Sequence, residues 1–471
     1  MSYRDLREWL EQVDAMGELR TVPGCDWNLE IGALAEVAGR GRDAPAILFD
    51  DIKGYPKGHR VLVGMVESLK RAALTTNLPT DITRNEFIAA WRERLNNPKL
   101  IPPEYVDESP LYENVFTGKD IDVLSLPVPK WHDEDGGRYI GTAHVVMTQD
   151  PEEGWVNMGV YRTMVHEKDR LAVYISPGKH GRIHRQKAFD QNKPLKVAIS
   201  FGQDPLLFLL GSRQIPWGDQ ELDYAGGIKG APVDVIRGEF TGLPIPARAE
   251  IAIEGEIMPD ETLPEGPFGE WPGYYASGSR EEPVVHVKSL MYRNNPILTG
   301  SPPFRPLPGA DGCASLIRAA FIWDSMEKAG VPDVTGVACY QNRFFTAVSI
   351  RQRYPGHAKQ AALIASQNHT GAYLGRYVVV VDDDIDVADM NDVLWAMCTR
   401  CNPADSIDIL RRTWSGPLDP IIPRDQKGHN SRAIIDACRP YEWIKDFPPV
   451  SGASPELKEE VLEKYGGYLK G

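Results

Sequence analysis

The chain has 471 residues, more than one hydrophobic core usually supports, so the sequence predicts about two to four domains. Acidic residues outnumber basic ones by 66 to 52, and the formal net charge at pH 7 is -14. Because an acidic surface repels the phosphates of nucleic acids, we expect no nucleic-acid partner.

No stretch approaches the roughly 18 consecutive apolar residues of a membrane-spanning helix. The first residues mix charged and apolar side chains and lack the apolar core of a signal peptide. Cys398 and Cys401 have the CxxC spacing, but no second pair of ligands follows, so we expect neither a zinc site nor a redox site. The sequence therefore predicts a cytoplasmic protein with reduced cysteines and no membrane association.

Residues 1–110 are predicted to form an N-terminal α/β domain. Apolar side chains recur with helical spacing from Ser2 to Leu19, where Ser2 and Asp5 are suited to cap a helix and Gly17 to end it. Ile101–Glu104 contains two prolines and is the predicted linker to the next domain. The other predicted elements are strands over 46–49 and 61–63 and helices over 28–38 and 84–95.

Between residues 111 and 305 the apolar period changes to two, which is typical of β-strands. Turn residues such as Gly136–Gly137 separate these strands. The pattern favours a compact β-barrel-like domain. The clearest strands are predicted over 145–147, 171–175, 195–199 and 250–257.

Residues 306–471 return to an α/β pattern, with a helix over 316–330 and a buried β-branched strand over 377–381. We expect Asp382–Asp384, directly after that strand, to be solvated loop residues. A last helix, with a good N-cap at Ser454, is expected to pack on a neighbouring subunit.

One loop, Pro264–Glu270, carries two carboxylates between two prolines and two glycines. The prolines fix their own φ, and Gly266 and Gly269 are both able to adopt the positive φ that a tight loop needs. Two carboxylates held close together in a dry pocket do not both ionise easily, so one of them is able to hold a proton near neutral pH. The alternative is a proline-rich surface loop whose glutamates are solvated.

Several other polar motifs fall in the same β-rich region. The sequence lacks the glycine-rich signature of a dinucleotide fold, a phosphate-binding P-loop and the nucleophile elbow of a hydrolase. What remains supplies an amide oxygen, an imidazole, a guanidinium and further carboxylates: Asn157-Met158-Gly159-Val160-Tyr161-Arg162, Lys179-His180-Gly181, Gly202-Gln203-Asp204-Pro205 and Glu221-Leu222-Asp223-Tyr224-Ala225-Gly226.

Together with Glu265-Gly266-Pro267-Phe268-Gly269-Glu270, these motifs resemble the UbiD-type (de)carboxylases. The resemblance continues through Trp395-Ala396-Met397 and Ser431–Ala437, so it spans most of the chain. It implies an α+β fold in which a split flavin-reductase-like β-barrel lies between an N-terminal α/β domain and a C-terminal α/β oligomerisation domain. It also implies prenylated FMN as cofactor, a separate flavin prenyltransferase as its supplier, and a homodimer or homohexamer.

The resemblance implies that Asn157, His180 and Glu221 hold a divalent metal, Mn²⁺ or Mg²⁺, that bridges to the cofactor phosphate. This ligand set suits such ions better than a thiolate-seeking metal. His184 is the alternative imidazole ligand. A K⁺ ion would lie beside Glu221 and the backbone near Ser212 to Pro216.

The remaining cofactor contacts implied by the resemblance are Thr142, the backbone around Val160, Arg162 and Pro216. Arg162, Glu265 and Glu270 match the catalytic Glu-Arg-Glu network of the family. Arg162 stays charged and is able to hold Glu265 as an anion while Glu270 gains a proton. The flavin would accept the electrons that remain after CO₂ leaves. Glu270 would then protonate the carbon that has lost CO₂.

The predicted activity is therefore the reversible, non-oxidative decarboxylation of an aromatic acid, with hydroxylated or heteroaromatic acids as the nearest class. By analogy with relatives, Pro302–Gly312 and the region of Trp414 are candidate specificity positions. An oxidoreductase that uses ordinary flavin in the same barrel is one alternative, although it needs no Glu-Arg-Glu network. A glycosidase that uses Glu265 and Glu270 as its carboxylate pair is another, and it leaves the metal-type residues without a role.

Overall fold

The computed structural model describes residues 3–39, 44–213, 215–305, 311–341 and 343–468. The α-helices are α1 Leu6–Ala15, α2 Glu30–Ala38, α3 Leu69–Thr75, α4 Arg84–Asn96, α5 His180–Asp190, α6 Pro205–Gly211, α7 Glu221–Lys229, α8 Cys313–Lys328, α9 His357–Gln367, α10 His369–Ala372, α11 Met390–Arg400, α12 Pro403–Ser406 and α13 Pro455–Tyr465.

The strands form four sheets. In chain order they are β1 Leu19–Pro23, β2 Ala46–Asp50, β3 Arg60–Val63, β4 Glu104–Tyr105, β5 Asn114–Thr117, β6 Arg138–Gly141, β7 Val145–Gln149, β8 Val156–Gly159, β9 Thr163–Glu167, β10 Arg170–Val173, β11 Leu195–Phe201, β12 Asp234–Arg237, β13 Pro244–Pro246, β14 Ile251–Glu265, β15 Arg280–Tyr292, β16 Ile297–Gly300, β17 Val334–Tyr340, β18 Phe345–Ile350, β19 Tyr377–Asp382, β20 Ile407–Trp414 and β21 His429–Ala437.

The first sheet has the strand order β1-β2-β3-β16, so its last strand comes from a distant part of the sequence. Helix α1 covers this region with a buried face that includes Leu6, Trp9 and Val13. The sequence suited Ser2 and Asp5 to a capping box, whereas in the structure Asp5 is itself the N-cap and accepts hydrogen bonds from the amides of Arg7 and Glu8. Gly17 has φ of 75° just after the helix, which confirms its predicted role, whereas Ser2 lies outside the described residues.

The largest sheet has nine strands and is antiparallel in all its pairings, which confirms the β-rich region predicted from the period of two. It curls into a half-barrel around a core that contains Ile199, Ile253 and Val285. Its two longest strands, β14 and β15, pair along most of their length, from Ile251 opposite Tyr292 to Glu265 opposite Arg280. A small sheet, β13-β12-β4, lies outside it.

The last sheet has the order β17-β18-β19-β21-β20, and helices α8 and α9 pack against it. The prediction for Asp382 was wrong. Asp382 is the last residue of β19, is buried, and accepts hydrogen bonds from Arg400 and Arg439. Its neighbour Asp383 pairs with Arg351 at the edge of the sheet.

The described cysteines are all free thiols, and Cys398 and Cys401 form no disulfide. Among the described residues, no helix combines the length and the hydropathy needed to cross a membrane.

Candidate active site

Arg162 joins the two carboxylates of the Pro264–Glu270 loop. It donates from Nε and Nη2 to the two oxygens of Glu265, at 2.7 and 2.8 Å. Its Nη1 donates to Glu270. Glu265 is the last residue of the long strand β14, and Glu270 lies five residues later in the loop. The structure therefore brings together the three residues that the sequence placed in one network.

Both glutamates are buried, with relative exposures of 0% for Glu265 and 8% for Glu270, so the solvated surface loop is excluded. Burial raises the pKa of Glu270 above its ordinary value, and the positive charge of Arg162 opposes this rise. The nearby charge of Glu265 raises the pKa of Glu270 further. Glu270 is therefore easier to protonate than an exposed glutamate, while Glu265 is the carboxylate that accepts hydrogen bonds from Arg162 at both of its oxygens.

The geometry of the loop depends on close backbone approaches. Gly266 has φ of 90°, which confirms the predicted positive φ. For Gly269 the predicted reason was wrong, because it does not adopt a positive φ; a side chain there would instead come within 3.0 Å of His132. The Gly269 amide donates to Asp135, which helps to hold the loop against the sheet.

Aromatic rings hold the network from the side. The guanidinium carbon of Arg162 lies 4.7 Å from the ring centre of Tyr174 and 5.3 Å from that of Phe268. The ring centre of Tyr174 also lies 4.2 Å from the guanidinium carbon of Arg280. These contacts restrict the rotation of Arg162 and exclude water from its ion pairs.

A second group of candidate residues lines a cavity that is partly open to solvent. Its walls include Asn157, His180 and Glu221, which come from β8, the start of α5 and the start of α7. Lys179 and Arg213 line the same cavity. The structure therefore brings the three predicted metal ligands to one space and adds Lys179, which belongs to a predicted motif, and Arg213, which had no predicted role.

The chemistry of these residues fits a cation. The amide nitrogen of Asn157 donates to Thr148 and Tyr161, which leaves its carbonyl oxygen for a ligand. Burial raises the pKa of Glu221 to about 8, and within the described residues no Lys or Arg forms an ion pair with it. A bound divalent ion would stabilise the ionised form of Glu221. The described residues contain no cluster of three His, Cys, Asp or Glu side chains, so the set depends on the Asn157 amide.

His180 and His184 occupy different environments. His180 lines the cavity, whereas His184 does not. The Nδ1 atom of His184 lies 3.0 Å from the hydroxyl of Thr148, and its Nε2 atom lies 3.6 Å from Asp150. Burial lowers the pKa of both imidazoles, that of His184 to about 4, so both favour the neutral form that binds metals. The geometry favours His180 as the ligand.

The remaining predicted cofactor contacts are distributed around the Glu265–Arg162–Glu270 network and the cavity. Val160 lines the cavity, and its amide donates to the carbonyl of Gly211. The Thr142 hydroxyl accepts a hydrogen bond from the amide of Ser301. Pro216 is exposed and does not line the cavity. Gln214, within the predicted K⁺ segment, lies outside the described residues, as does 306–310 within the candidate specificity segment.

Sequence reasoning missed Tyr139 on strand β6. Its hydroxyl donates to Glu265 Oε1 at 3.1 Å, and its ring centre lies 4.3 Å from that of Phe268. Burial and the charge of Glu265 raise the pKa of Tyr139, so this phenol stays a donor. No local motif identifies Tyr139, because its position depends on the pairing of β6 with β9.

Comparison with known proteins places this geometry in a family. Residues 104–306 match the UbiD model, described as the 3-octaprenyl-4-hydroxybenzoate carboxy-lyase Rift-related domain. Residues 313–437 and 10–91 match the C-terminal and N-terminal domains of the same carboxy-lyase. A phenolic acid decarboxylase from Streptomyces sp. (strain D7) is 31% identical over 455 residues, which cover 93% of each protein.

Solved structures agree over the full length of the chain. The open form of vanillic acid decarboxylase from Sedimentibacter hydroxybenzoicus has a TM-score of 0.87 at 29% identity and covers 100% of both chains. An evolved dimeric form of the UbiD-class enzyme HmfF from Pelotomaculum thermopropionicum, in complex with prFMN, has a TM-score of 0.82 at 27% identity. It covers 98% of this chain and 100% of its own. The chain therefore belongs to the UbiD family and is a carboxy-lyase.

Proposed function

We propose that the protein removes CO₂ from an aromatic carboxylic acid, reversibly and without net oxidation, with prenylated FMN as cofactor. The observation that carries this proposal is the buried Glu265–Arg162–Glu270 network, in which burial raises the pKa of one carboxyl while the guanidinium binds the other. The relatives support the substrate class, since they are named for phenolic and vanillic acid decarboxylation. HmfF, whose structure contains prFMN, supports the cofactor.

When bound, prenylated FMN would supply the electron sink that no amino-acid side chain provides. Asn157, His180 and Glu221 would hold Mn²⁺ or Mg²⁺ at the cofactor phosphate, and Lys179 and Arg213 would add positive charge around it. Thr142, Val160, Arg162 and Pro216 are the other proposed cofactor contacts. The proposed K⁺ site lies beside Glu221 and the backbone from Ser212 to Pro216.

In this proposal Glu270 performs the proton transfer. Its neutral form donates a proton to the carbon that has lost CO₂, and Arg162 stabilises the carboxylate that remains. Glu265 holds Arg162 in place by accepting two hydrogen bonds from it, and Tyr139 donates a third hydrogen bond to Glu265. The same groups run the carboxylation direction, in which Glu270 takes the proton from the product carbon.

The proposal also requires partners. A flavin prenyltransferase would supply the cofactor, and the chain would assemble as a homodimer or homohexamer. An exposed apolar face on helix α13, containing Leu457, Val461 and Leu462, supports assembly.

The decisive experiment compares the protein produced with and without a co-expressed flavin prenyltransferase. We expect the co-expressed protein to contain a flavin with the added mass of the prenyl-derived ring, measured by intact cofactor mass and absorbance. It should release CO₂ from members of a panel of hydroxylated and heteroaromatic acids, whereas the protein without the prenyltransferase should be inactive. Arg351→Gln, at a surface ion pair with Asp383, is the matched control and should behave like the wild type.

Ordinary FMN in both preparations, together with reduction of that flavin by a nicotinamide nucleotide, would instead support the flavin oxidoreductase.

A further inference from the structure

Arg343 brings a positive charge from the C-terminal sheet toward the proton-donor loop. It lies in the connection between β17 and β18. Its guanidinium carbon is 4.8 Å from the ring centre of Trp271 and 4.9 Å from that of Tyr373. Trp271 follows Glu270 directly in the sequence, so Arg343 lies beside the segment that carries the proposed proton donor.

Arg343 has no anionic partner among the described residues. No carboxylate forms an ion pair with it there, and its Nε atom is buried without a hydrogen-bond acceptor. Other arginines of the C-terminal region form ion pairs: Arg351 with Asp383, Arg353 with Asp333, and Arg400 with Asp382. A buried guanidinium nitrogen without an acceptor is costly, so the site is suited to an anion that arrives with a ligand.

The surroundings of Arg343 increase its need for an anionic partner. Burial lowers the pKa of Arg343 to about 10, and the positive charge of Arg213 also lowers it. The group nevertheless stays protonated near neutral pH. Arg213 and Arg343 together therefore create an unbalanced positive potential at the boundary between the half-barrel and the C-terminal sheet.

The charge of Arg343 acts on Lys179, which lines the cavity of the proposed metal ligands, but the aromatic neighbours of Arg343 favour the substrate over the cofactor phosphate as the source of the anion. Arg343 is absent from the residues that line the cavity with Asn157, His180 and Glu221. Its neighbours are instead two aromatic rings, Trp271 and Tyr373, and the charge of Glu270 raises the pKa of Tyr373 after the larger effect of burial. Flat rings beside an unpaired cation suit an aromatic ligand that carries an anionic oxygen at its far end.

We propose that Arg343 is a substrate-binding residue that pairs with a second anionic oxygen group of the aromatic acid, and so selects acids with two anionic groups over acids with one. This inference rests on the proposed function, because it places the first carboxylate at the Arg162–Glu270 network. The second group, a carboxylate in the probes below, would complete the charge balance at Arg343.

The test measures binding to the holoenzyme by ligand-induced thermal stabilisation, with benzoate, isophthalate and terephthalate as probes. The wild type should bind at least one dicarboxylate roughly tenfold to a hundredfold more tightly than benzoate, as expected for one charged hydrogen-bonded contact. Arg343→Met should remove that preference while the affinity for benzoate changes by less than about threefold. Arg343→Lys keeps the charge and should keep part of the preference.

Arg351→Met is the matched control, because Arg351 is a partly exposed arginine at the other end of β18. Arg351→Met should retain the dicarboxylate preference. Arg343→Met and Arg351→Met should both retain the flavin absorbance of the wild type. The inference is overturned if the wild type shows no dicarboxylate preference or if Arg343→Met keeps it. It is also overturned if Arg343→Met alone loses flavin, since the missing anion would then be the cofactor phosphate.

These outcomes are separate from failure of the proposed function. A holoenzyme that releases CO₂ from no aromatic acid would contradict the proposed function, whereas the binding preference is measured without turnover. A holoenzyme that decarboxylates single-charged acids and shows no preference would contradict only the role of Arg343.

Discussion

At the scale of single residues, the two glutamates of the network are not equivalent. Glu265 accepts two hydrogen bonds from Arg162 and one from Tyr139. Glu270 contacts Arg162 through one oxygen, and burial raises its pKa. This asymmetry supports our proposal that Glu270, and not Glu265, acts as the acid.

Glu270→Gln tests this assignment. The amide keeps the shape and hydrogen bonding of the side chain but removes the acid, so turnover should fall by the ~10²–10⁴-fold typical of a lost general acid. In the wild type, kcat/KM should fall as pH rises through the raised pKa of Glu270, because only the protonated form is able to donate. The variant should lose this alkaline limb, which a pH–rate profile measures.

Hydrogen exchange gives an independent measurement of the same step. The wild type, incubated in D₂O with the decarboxylated product, should incorporate deuterium at the former carboxyl carbon, and Glu270→Gln should not. Flavin occupancy, measured by absorbance, should be equal in the two proteins. A variant that decarboxylates and exchanges at the wild-type rate would assign the acid to another residue.

The two neighbouring histidines provide a matched pair for the metal site. His180→Ala should purify with little Mn²⁺ and little flavin, because His180 lines the cavity with Asn157 and Glu221. His184→Ala should retain more of both, since His184 contacts Thr148 and Asp150 instead. Metal analysis and flavin absorbance of the folded proteins measure the difference. Full occupancy in His180→Ala would remove this histidine from the proposed ligand set.

At the scale of elements, strand β19 ends in a buried ionic cluster. Asp382 accepts hydrogen bonds from Arg400 at 2.9 Å, from the Arg439 backbone amide at 2.8 Å and from its Nε at 3.0 Å. Gln352 donates to its other oxygen at 2.8 Å. This cluster ties β19 to helix α11 and to the chain after β21, so it fixes three elements at one point.

Asp382→Asn should therefore destabilise the fold by about 3–5 kcal/mol, as expected when one partner of a buried ion pair is removed. Asp383→Asn, at the adjacent position, is the control and should cost about 0–1 kcal/mol because its ion pair with Arg351 is partly exposed. Denaturant unfolding of both variants measures the two values. Equal values would show that burial of Asp382 carries no energetic weight.

The sequence predicted the positions of helices and strands better than it predicted the burial and the contacts of their side chains. Apolar periodicity located α1, α4 and β19 to within a few residues, because the period follows from local geometry. The loop motif alone identified Glu265 and Glu270, whereas Arg162 was joined to them only by the resemblance to the UbiD family. Burial of Asp382 and the contact of Tyr139 with Glu265 were missed, because both depend on strand pairing between distant segments.

At the scale of the whole molecule, helix α13 presents apolar side chains to solvent in the single chain. Leu457, Val461, Leu462 and Tyr465 are 47%, 41%, 56% and 50% exposed. Residues 457, 461 and 465 recur every four positions and so share one face of the helix. A face of this kind favours burial against another subunit.

Leu457→Glu combined with Val461→Glu should shift the protein toward the monomer, because charges on this face oppose its burial. Sedimentation or light scattering measures the mass. Glu459→Lys, on the same helix but outside the row, is the control and should leave the mass unchanged. An assembly that survives the double substitution would place the interface elsewhere.

Strand β16 returns to the first sheet, and this limits where the gene can be divided without splitting that sheet. Residues 297–300 pair in parallel with β3, so the sheet formed near the N-terminus is completed only after the half-barrel has been traversed. A fragment that ends near residue 110 would expose the β3 edge and would be prone to aggregate. Recombination between homologous genes would therefore have to exchange the first segment and residues 297–300 together, as one inherited unit.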